Sequence, residues 1–253
     1  DQKRFESLGI AAEKICVTGS IKFDPSGGQK PQKRTEFQKL LDDFGNEGGS
    51  GRKVLLVAST NIGEEKAIAD AVKKSAADVI LVVVPRHAER RAEVVADLKA
   101  AGYQPVLKTD YQTPDNTSQA CLVADTTGEL RDWTAHADWV VIGKSWLGIG
   151  GQNPAEAIAA GVPVICGPHM ENFQPLVSQL CEQEAIIMLD STHEITNTLT
   201  KLANGEINTS SMTRGAQEVL SRHDQALKKT LELLEVNASV REPERVKNEP
   251  RHE

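Results

Sequence analysis

The sequence has few aromatic residues and no excess of basic charge. Aromatic side chains make up 4% of the 253 residues, too few for the stacking surfaces that bind single-stranded nucleic acid. The formal net charge is −7 and no long basic run occurs, so a nucleic-acid partner is not expected. We find neither a signal peptide nor an apolar stretch of membrane-spanning length. With 39% hydrophobic and 26% charged residues, the composition is that of a soluble globular protein with a substantial core.

Cysteine is also scarce. The four cysteines, Cys16, Cys121, Cys166 and Cys181, form no CxxC pair, and their spacing matches no zinc site. Two of them, Cys121 and Cys166, lie in apolar runs, where a buried and reduced thiol is expected, so a reducing compartment fits best. No carboxylate cluster suited to a metal occurs either. We therefore predict neither a metal nor a cofactor.

The chain begins at Asp1 without an initiator methionine, which suggests a fragment of a longer protein. We interpret residues 1–30 as a connector, 31–236 as one domain and 237–253, which are charged and lack apolar periodicity, as a solvated tail. Within the domain, the glycine-rich and acidic segment 42–52 is predicted to be a flexible loop.

Apolar runs rich in β-branched residues alternate with stretches of helical spacing. The runs are 53–58, 79–84, 120–124, 138–142, 162–166 and 185–189. Nearly continuous apolar strands are typical of parallel sheets covered by helices on both faces. We therefore predict an α/β fold, a doubly wound parallel sheet of about six strands, with a last long helix over 210–236.

Open parallel sheets bind ligands at the carboxyl ends of their strands, and the richest strand-end loop is 143–157, GKSWLGIGGQNPAEA. Helix capping explains Asn153, Pro154 and Glu156 without any ligand. It does not explain the glycines, which cost backbone entropy and expose N–H groups that can bind an anion. These glycines are Gly143, Gly148, Gly150 and Gly151. We interpret the loop as a phosphate site.

The other strand-end loops supply further candidates, each with a structural alternative. The candidates are Ser59, Thr60 and Gly63 after the first run, Arg86 and His87 after the second, Thr127, Gly128 and Glu129 after the third, and His169 and Glu171 after the fifth. Helix capping explains the first and third groups, in particular a capping box made by Asn61 and Glu64. A surface ion cluster with Glu89 and Glu93 explains Arg86. A lone histidine is more often structural than catalytic, and the strand-end position of His169 makes the two interpretations about equal.

Five motifs resemble, in the same order, those of the Kdo transferases of lipopolysaccharide synthesis. They are TGSIKFD, ASTNIGEE, PRHAER, DTTGEL and GKSWLGIGGQNPAEAIAAGVPVICGPHMENF. Enzymes of this family transfer 3-deoxy-D-manno-octulosonic acid (Kdo) from CMP-Kdo to a lipid A precursor, and they have the GT-B fold, in which two Rossmann-like domains face a cleft. The resemblance extends to about residue 205 and implies the C-terminal, donor-binding domain together with the connector.

The resemblance assigns roles to the motif residues. It implies that the Gly150–Gly151 turn and the helix start at Asn153 hold the donor phosphate, that Glu156 binds the ribose hydroxyls and that Arg86 neutralises the phosphate or the sugar carboxylate. The other implied contacts are Ser59, Thr60 and Gly63 in the cleft wall, Thr127, Gly128 and Glu129 beside the cytosine, Lys144, Ser145 and Gln152 in the glycine-rich loop, and His169, Asn172 and Phe173 beside the donor.

The chain departs from the family at three positions. Asn61 and Gln152 stand where the family usually has histidine, and neither side chain can titrate, which argues against an acid–base role there. Lys144 stands where the family usually has glycine, and it adds a cation near the expected phosphate.

The resemblance also implies what this chain lacks. In the family, the N-terminal domain carries the catalytic glutamate, the acceptor site for the lipid A precursor and the membrane anchor, so that the whole enzyme works at the cytoplasmic face of the bacterial inner membrane. We therefore expect this fragment to be soluble, to bind CMP or CMP-Kdo weakly, and to transfer nothing. The alternatives are another GT-B enzyme, such as a UDP-sugar transferase or a sugar-nucleotide epimerase, and a non-enzymatic nucleotide-binding module.

Overall fold

The structure, a computed structural model, describes residues 2–23 and 31–239. The described residues fall into two compact units, one made of 31–220 and the other of 2–23 together with 221–239. Residues 240–253, most of the predicted tail, lie outside the described residues, as do 24–30 at the end of the predicted connector.

The large unit contains one sheet of seven strands, all parallel, in the order β3-β4-β2-β1-β5-β6-β7. The strands are β1 (Lys53–Thr60), β2 (Val79–Pro85), β3 (Gln104–Leu107), β4 (Ala120–Val123), β5 (Trp139–Ile142), β6 (Val164–Cys166) and β7 (Ile187–Met188). The doubly wound parallel sheet is confirmed, with seven strands where about six were predicted. The additional strand, β3, lies at the sheet edge, contains Pro105 and is only partly buried, so it lacks the apolar run that marks the other strands.

Ten α-helices occur in the described ranges. They are α1 (Gln2–Ser7), α2 (Thr35–Asp43), α3 (Glu64–Lys74), α4 (Arg91–Ala100), α5 (Leu130–Thr134), α6 (Ala155–Ala159), α7 (Leu176–Glu182), α8 (Glu194–Ala203), α9 (Thr209–Ser221) and α10 (Ala226–Ser239). The helix predicted over 210–236 is therefore two helices. The chain is interrupted before Ala226, where Gln225 has a left-handed φ of 61°. Within residues 2–23 and 31–239, no helix is both long and apolar enough to span a bilayer.

The core of the large unit is built on the central strands. All residues of β2, β4 and β5 are buried, as is β1 after its first residue, which is the pattern expected for a parallel sheet under helices. The predicted buried thiols are confirmed: Cys121 and Cys166 are free and buried, and burial raises the pKa of each thiol to about 12.

The glycine-rich segment 42–52 is more ordered than predicted. It forms consecutive hydrogen-bonded turns in which Phe44 and Asn46 are buried. The Asn46 side chain donates to the carbonyl oxygen of Arg52 at 2.9 Å, and the backbone N–H of Gly48 donates to Asp42 at 2.7 Å. These bonds satisfy polar groups that the sequence pattern assigned to solvent.

Candidate functional site

The strand order of the sheet reverses at β1, which pairs with β2 on one side and with β5 on the other. The loops after β1 and β5 therefore lie side by side at the carboxyl edge of the sheet, where such folds bind ligands. Their approach is close: the N–H of Gly143 donates to the carbonyl oxygen of Ala58 at 2.8 Å. A Cβ on Gly143 would lie 2.6 Å from the carbonyl oxygen of Ser59, so only glycine fits there.

The carboxylate of Glu64, at the start of α3, connects these two loops. Glu64 is fully buried and accepts hydrogen bonds from the backbone N–H groups of Ser145 at 3.0 Å and Trp146 at 3.1 Å, and also from that of Lys144. It accepts a further bond from the N–H of Asn61 at 3.0 Å. The predicted capping box is therefore half correct, because Glu64 bonds back to Asn61 while the helix cap is Gly63, with a φ of 80° and no side-chain bond.

The neighbouring carboxylate, Glu65, holds a different loop. It is buried, accepts a bond from the hydroxyl of Thr60 at 2.7 Å and pairs with the Arg90 guanidinium at 2.9 Å. Arg90 also donates to the carbonyl oxygen of Thr60 at 3.2 Å. The side chain of Thr60, predicted as part of the cleft wall, is thus buried and engaged inside the protein, and Ser59 beside it is buried with a left-handed φ of 57°.

The predicted anion-binding residue Arg86 is exposed at the carboxyl end of β2. Its N–H donates to the carbonyl oxygen of Thr60 at 3.2 Å, while its guanidinium has no hydrogen-bond or ion-pair partner in the described part of the chain. The expected ion cluster forms elsewhere, because Arg90 rather than Arg86 pairs with Glu93, at 3.1 Å. Arg86 is therefore available to an anionic ligand.

The Gly150–Gly151 turn packs against the loop that follows β6. A Cβ on Gly151 would meet the sulfur of Met170 at 2.4 Å and the carbonyl oxygen of His169 at 2.9 Å, and one on Gly150 would meet the Asn172 amide at 2.2 Å. Both glycines also have positive φ, of 100° and 67°. Packing and backbone conformation thus explain these glycines, a reason that differs from the ligand approach inferred from the sequence.

Two predicted donor contacts have structural roles instead. Ser145 is fully buried: its hydroxyl donates to the carbonyl oxygen of Ile142 at 2.6 Å and accepts from the N–H of Gly167 at 2.8 Å. A Cβ on Gly167 would lie 2.1 Å from the carbonyl oxygen of Ser145. Phe173 is likewise buried, so neither side chain is exposed to a ligand.

The loop after β6 carries a contact between a histidine and a glutamate side chain. The Nδ1 of His169 lies 3.1 Å from Oε1 of Glu171, and Oε2 of Glu171 accepts the N–H of Gly150 at 2.7 Å. The pKa of Glu171 is lowered by a bond from its own backbone N–H, by His169 and by the Gly150 bond. Asn172, the next residue, is exposed, and its N–H donates to the carbonyl oxygen of Gly150 at 3.2 Å. The glycine turn is therefore held from the loop after β6.

The helix that follows the glycine turn begins at Ala155. The Asn153 side chain accepts the N–H of Ala155 at 3.0 Å, while Pro154 precedes the first helical residue. Glu156 does not cap the helix as the sequence pattern predicted. Its carboxylate lies 3.4 Å from the guanidinium of Arg131 on α5 and stays partly exposed. Gln152, just before the helix start, is also partly exposed.

Lys144 adopts a left-handed conformation, with a φ of 56°. A lysine there is strained, which accounts for the glycine that the resembling family usually has at this position. Its carbonyl oxygen accepts the N–H of Gly151 at 3.1 Å.

The loop after β4 borders an open cavity. The cavity has a volume of about 380 Å³, within the range of small-ligand sites. Its lining residues are Gln32, Arg34, Gly128, Leu130, Arg131, Asp132 and Glu156. The structure thus joins Gly128 and Glu156, which the resemblance assigned to the cytosine and the ribose. The two arginines and Asp132 were not singled out from the sequence, because no motif marks them.

The other residues of this loop differ in exposure: some face solvent, and one belongs to a network of ion pairs. Thr127 is exposed and does not cap α5, and the position above Gly128 is open, with no atom within 4 Å of a Cβ built there. Glu129 accepts from Lys108 at 3.0 Å, lies 3.4 Å from Arg34 and is bonded to the hydroxyl of Thr126. Glu129 is therefore engaged with protein groups, while Thr127 and Gly128 face open space. The described residues contain no group of three or more potential metal ligands.

The parallel sheet, its strand order and the flanking helices define a Rossmann-like α/β domain of the GT-B type. The chain is 30% identical over 237 residues to the 3-deoxy-D-manno-octulosonic acid transferase of Haemophilus influenzae, a match that covers 92% of this chain and 54% of the relative. It is 29% identical over 230 residues to the enzyme of that name from Bordetella pertussis, covering 88% and 52%. No protein-family model matches.

A solved structure matches as well. The crystal structure of the C-terminal CMP-Kdo binding domain of WaaA from Acinetobacter baumannii has a TM-score of 0.61 and 26% identity, over 67% of this chain and 89% of that domain. The chain is thus similar in sequence and fold to the C-terminal part of the Kdo transferases, which confirms the resemblance read from its motifs. It spans about half the length of the curated relatives that it matches.

Proposed function

We propose that this chain is the donor-binding domain of a Kdo transferase, which binds CMP-Kdo for transfer to a lipid A precursor in lipopolysaccharide synthesis. The observation that carries the proposal is the cavity between Gly128 and Glu156. It lies at the carboxyl edge of the sheet, next to the glycine-rich loop, in a chain similar to a domain that binds CMP-Kdo.

The cavity suits a nucleoside. The exposed Gly128 backbone leaves room for a flat base, since nothing lies within 4 Å of its Cβ position. The carboxylate of Glu156 can accept hydrogen bonds from the two ribose hydroxyls, with the nearby Arg131 keeping it oriented toward the cavity. The exposed Thr127 extends the same wall.

The proposed location of the donor phosphate is beside the helix start at Asn153. The backbone N–H groups of Gln152 and Asn153 have no partner within the described residues and can bind an anion together with the exposed Arg86 guanidinium. Lys144 adds a further positive charge on the same loop. His169 and Asn172, on the loop that packs against the glycine turn, remain candidate contacts for the sugar.

This arrangement serves the leaving group. N–H dipoles and cations that are already in place stabilise the negative charge that grows on CMP as the sugar departs, without reorganisation. We assign the base that activates the acceptor, the acceptor site and the attachment to the cytoplasmic face of the inner membrane to the part of such an enzyme that has no counterpart in this chain. The matches to the curated relatives cover 54% and 52% of their lengths.

Calorimetric titration of the purified chain with CMP, UDP and ADP tests the proposal. We expect CMP to bind most tightly and Glu156→Ala to weaken CMP binding about tenfold, or about 1.4 kcal/mol. The matched control is Glu182→Ala, which removes an exposed carboxylate on α7. Tighter binding of UDP would favour a UDP-sugar enzyme, and undiminished CMP binding by the Glu156 variant would contradict the assigned ribose contact.

A further inference from the structure

Glu64 lies in one of the motifs that carry the resemblance, but neither the resemblance nor the donor site proposed above assigns it a role. Glu64 is fully buried, and its carboxylate oxygens accept backbone N–H groups from the loop after β1 and from the loop after β5. We propose that Glu64 is a positioning residue for the donor phosphate: it fixes the first half of the glycine-rich loop so that the second half presents the phosphate site. This inference rests on the proposed donor site.

Glu64 decides which part of the loop can bind an anion. The N–H groups of Lys144, Ser145 and Trp146 converge on the two oxygens of one carboxylate, Lys144 on Oε2 and the other two on Oε1; such convergence at one point is typical of anion sites. The Glu64 carboxylate already occupies that point with charge-assisted hydrogen bonds. A donor phosphate therefore cannot bind there and must use the groups nearer Asn153.

The effect of Glu64 reaches the Gly150–Gly151 turn through Lys144. The N–H of Lys144 donates to Glu64, and its carbonyl oxygen accepts the N–H of Gly151 at 3.1 Å. Because Lys144 is held in a left-handed conformation, loss of the Glu64 bond lets this residue relax and moves the carbonyl group that orients Gly151. Ser145 provides a parallel connection, since its carbonyl oxygen accepts the N–H of His169 at 3.0 Å.

The substitution Glu64→Gln tests this role. A glutamine amide keeps one acceptor oxygen but turns an NH₂ group toward backbone donors, so some of the N–H bonds must break. We expect amide hydrogen exchange at Lys144, Ser145, Trp146 and Gly151 to accelerate at least tenfold. We also expect CMP to bind at least tenfold more weakly while cytidine, which lacks the phosphate, binds within twofold of the unaltered chain.

Asp138→Asn is the matched control. Asp138 accepts the N–H of Val54 at 2.8 Å, so it connects the same two strands, β1 and β5, at the opposite end of the sheet. We expect this variant to lose stability while it keeps the ratio of CMP to cytidine affinity. If Glu64→Gln does not fold, as judged by thermal unfolding, Glu64→Asp retains the charge one methylene farther from the loop, and the same phosphate-selective loss is expected.

Three results are decisive. Equal weakening of CMP and cytidine in the Glu64 variants shows a general structural role and overturns the proposal. Amide exchange at Lys144–Trp146 that is the same in the Glu64 variants as in the unaltered chain also overturns the proposal, whether or not a ligand is bound. Failure of the unaltered chain to bind CMP contradicts the donor site itself, and the exchange measurement then still decides whether Glu64 holds the loop.

Discussion

The crevice has a packed side and an open side, and glycine serves a different purpose on each. The packed side consists of the loops after β1 and β5, where Gly143 and Gly151 leave no room for a Cβ and the buried carboxylate of Glu64 accepts several backbone N–H groups. The open side consists of the loops after β2 and β4, where Gly128 faces empty space and Arg86 has an unengaged guanidinium. The packed side gives the site its shape and offers a ligand the backbone N–H groups near its end, at Gln152 and Asn153. The open side offers side chains and free space.

The largest contrast is expected between two arginines four residues apart. Arg90→Ala leaves the fully buried Glu65 carboxylate without its guanidinium partner, and we expect the free energy of unfolding to fall by about 3–5 kcal/mol. Arg86→Ala should change it by no more than about 0.5 kcal/mol, as for exposed side chains without partners, yet weaken CMP binding severalfold. Urea denaturation and calorimetry measure the two effects. Equal destabilisation by both variants would contradict the assignment of a structural role to Arg90 and an unengaged guanidinium to Arg86.

Alanine substitution of two glycines sharpens the same comparison. Gly143→Ala forces a Cβ to within 2.6 Å of backbone atoms of Ser59 and Thr60, so we expect a loss of about 3 kcal/mol. Gly128→Ala meets no atom but strains a φ of 81°, so we expect about 1 kcal/mol. The denaturation midpoints of the two variants give the difference. A Gly128 variant as unstable as the Gly143 variant would show that the loop after β4 is also packed.

The smallest effect concerns the contact between Glu171 and Gly150. The folded state lowers the pKa of Glu171, so its contribution to stability is complete near neutral pH and is lost as the pH falls through the folded-state pKa. We therefore expect the amide resonance of Gly150 to titrate below the usual glutamate range, and Glu171→Gln to abolish that titration. A midpoint at or above the ordinary value would mean that the Glu171 carboxylate does not accept the Gly150 N–H.

The sequence predicted the sheet well because burial on both faces leaves a local signature. The runs at 53–58, 79–84 and 138–142 correspond to β1, β2 and β5 within two residues. The edge strand β3 leaves no such signature. The sequence did not predict that the last helix is divided, because the break has a left-handed glutamine, Gln225, rather than the glycine or proline that usually indicates a helix end.

The sequence indicated which loops border the candidate site, but not which of their side chains face solvent. The pattern located the strand ends, and with them Arg86, Gly128 and Glu156, because a parallel sheet places all its strand ends at one edge. It could not distinguish Ser145 and Thr60, which are engaged inside the protein, from neighbours that face solvent. The spacing of Glu64 in the sequence predicts only a capping residue. Its bonds to Lys144–Trp146 span about 80 residues and form only because β1 pairs with β5, so no local pattern indicates them.

The two edges of the sheet have a consequence for aggregation. At one edge, β3 is four residues long and its Pro105 has no N–H to donate; at the other, β7 has only two residues. An exposed strand edge can recruit a strand from another molecule, and a short or proline-containing edge gives such a strand little to pair with. The long apolar strands that would be most hazardous, β1 and β2, lie in the interior of the sheet, so the folded domain should resist edge-to-edge association even at high concentration.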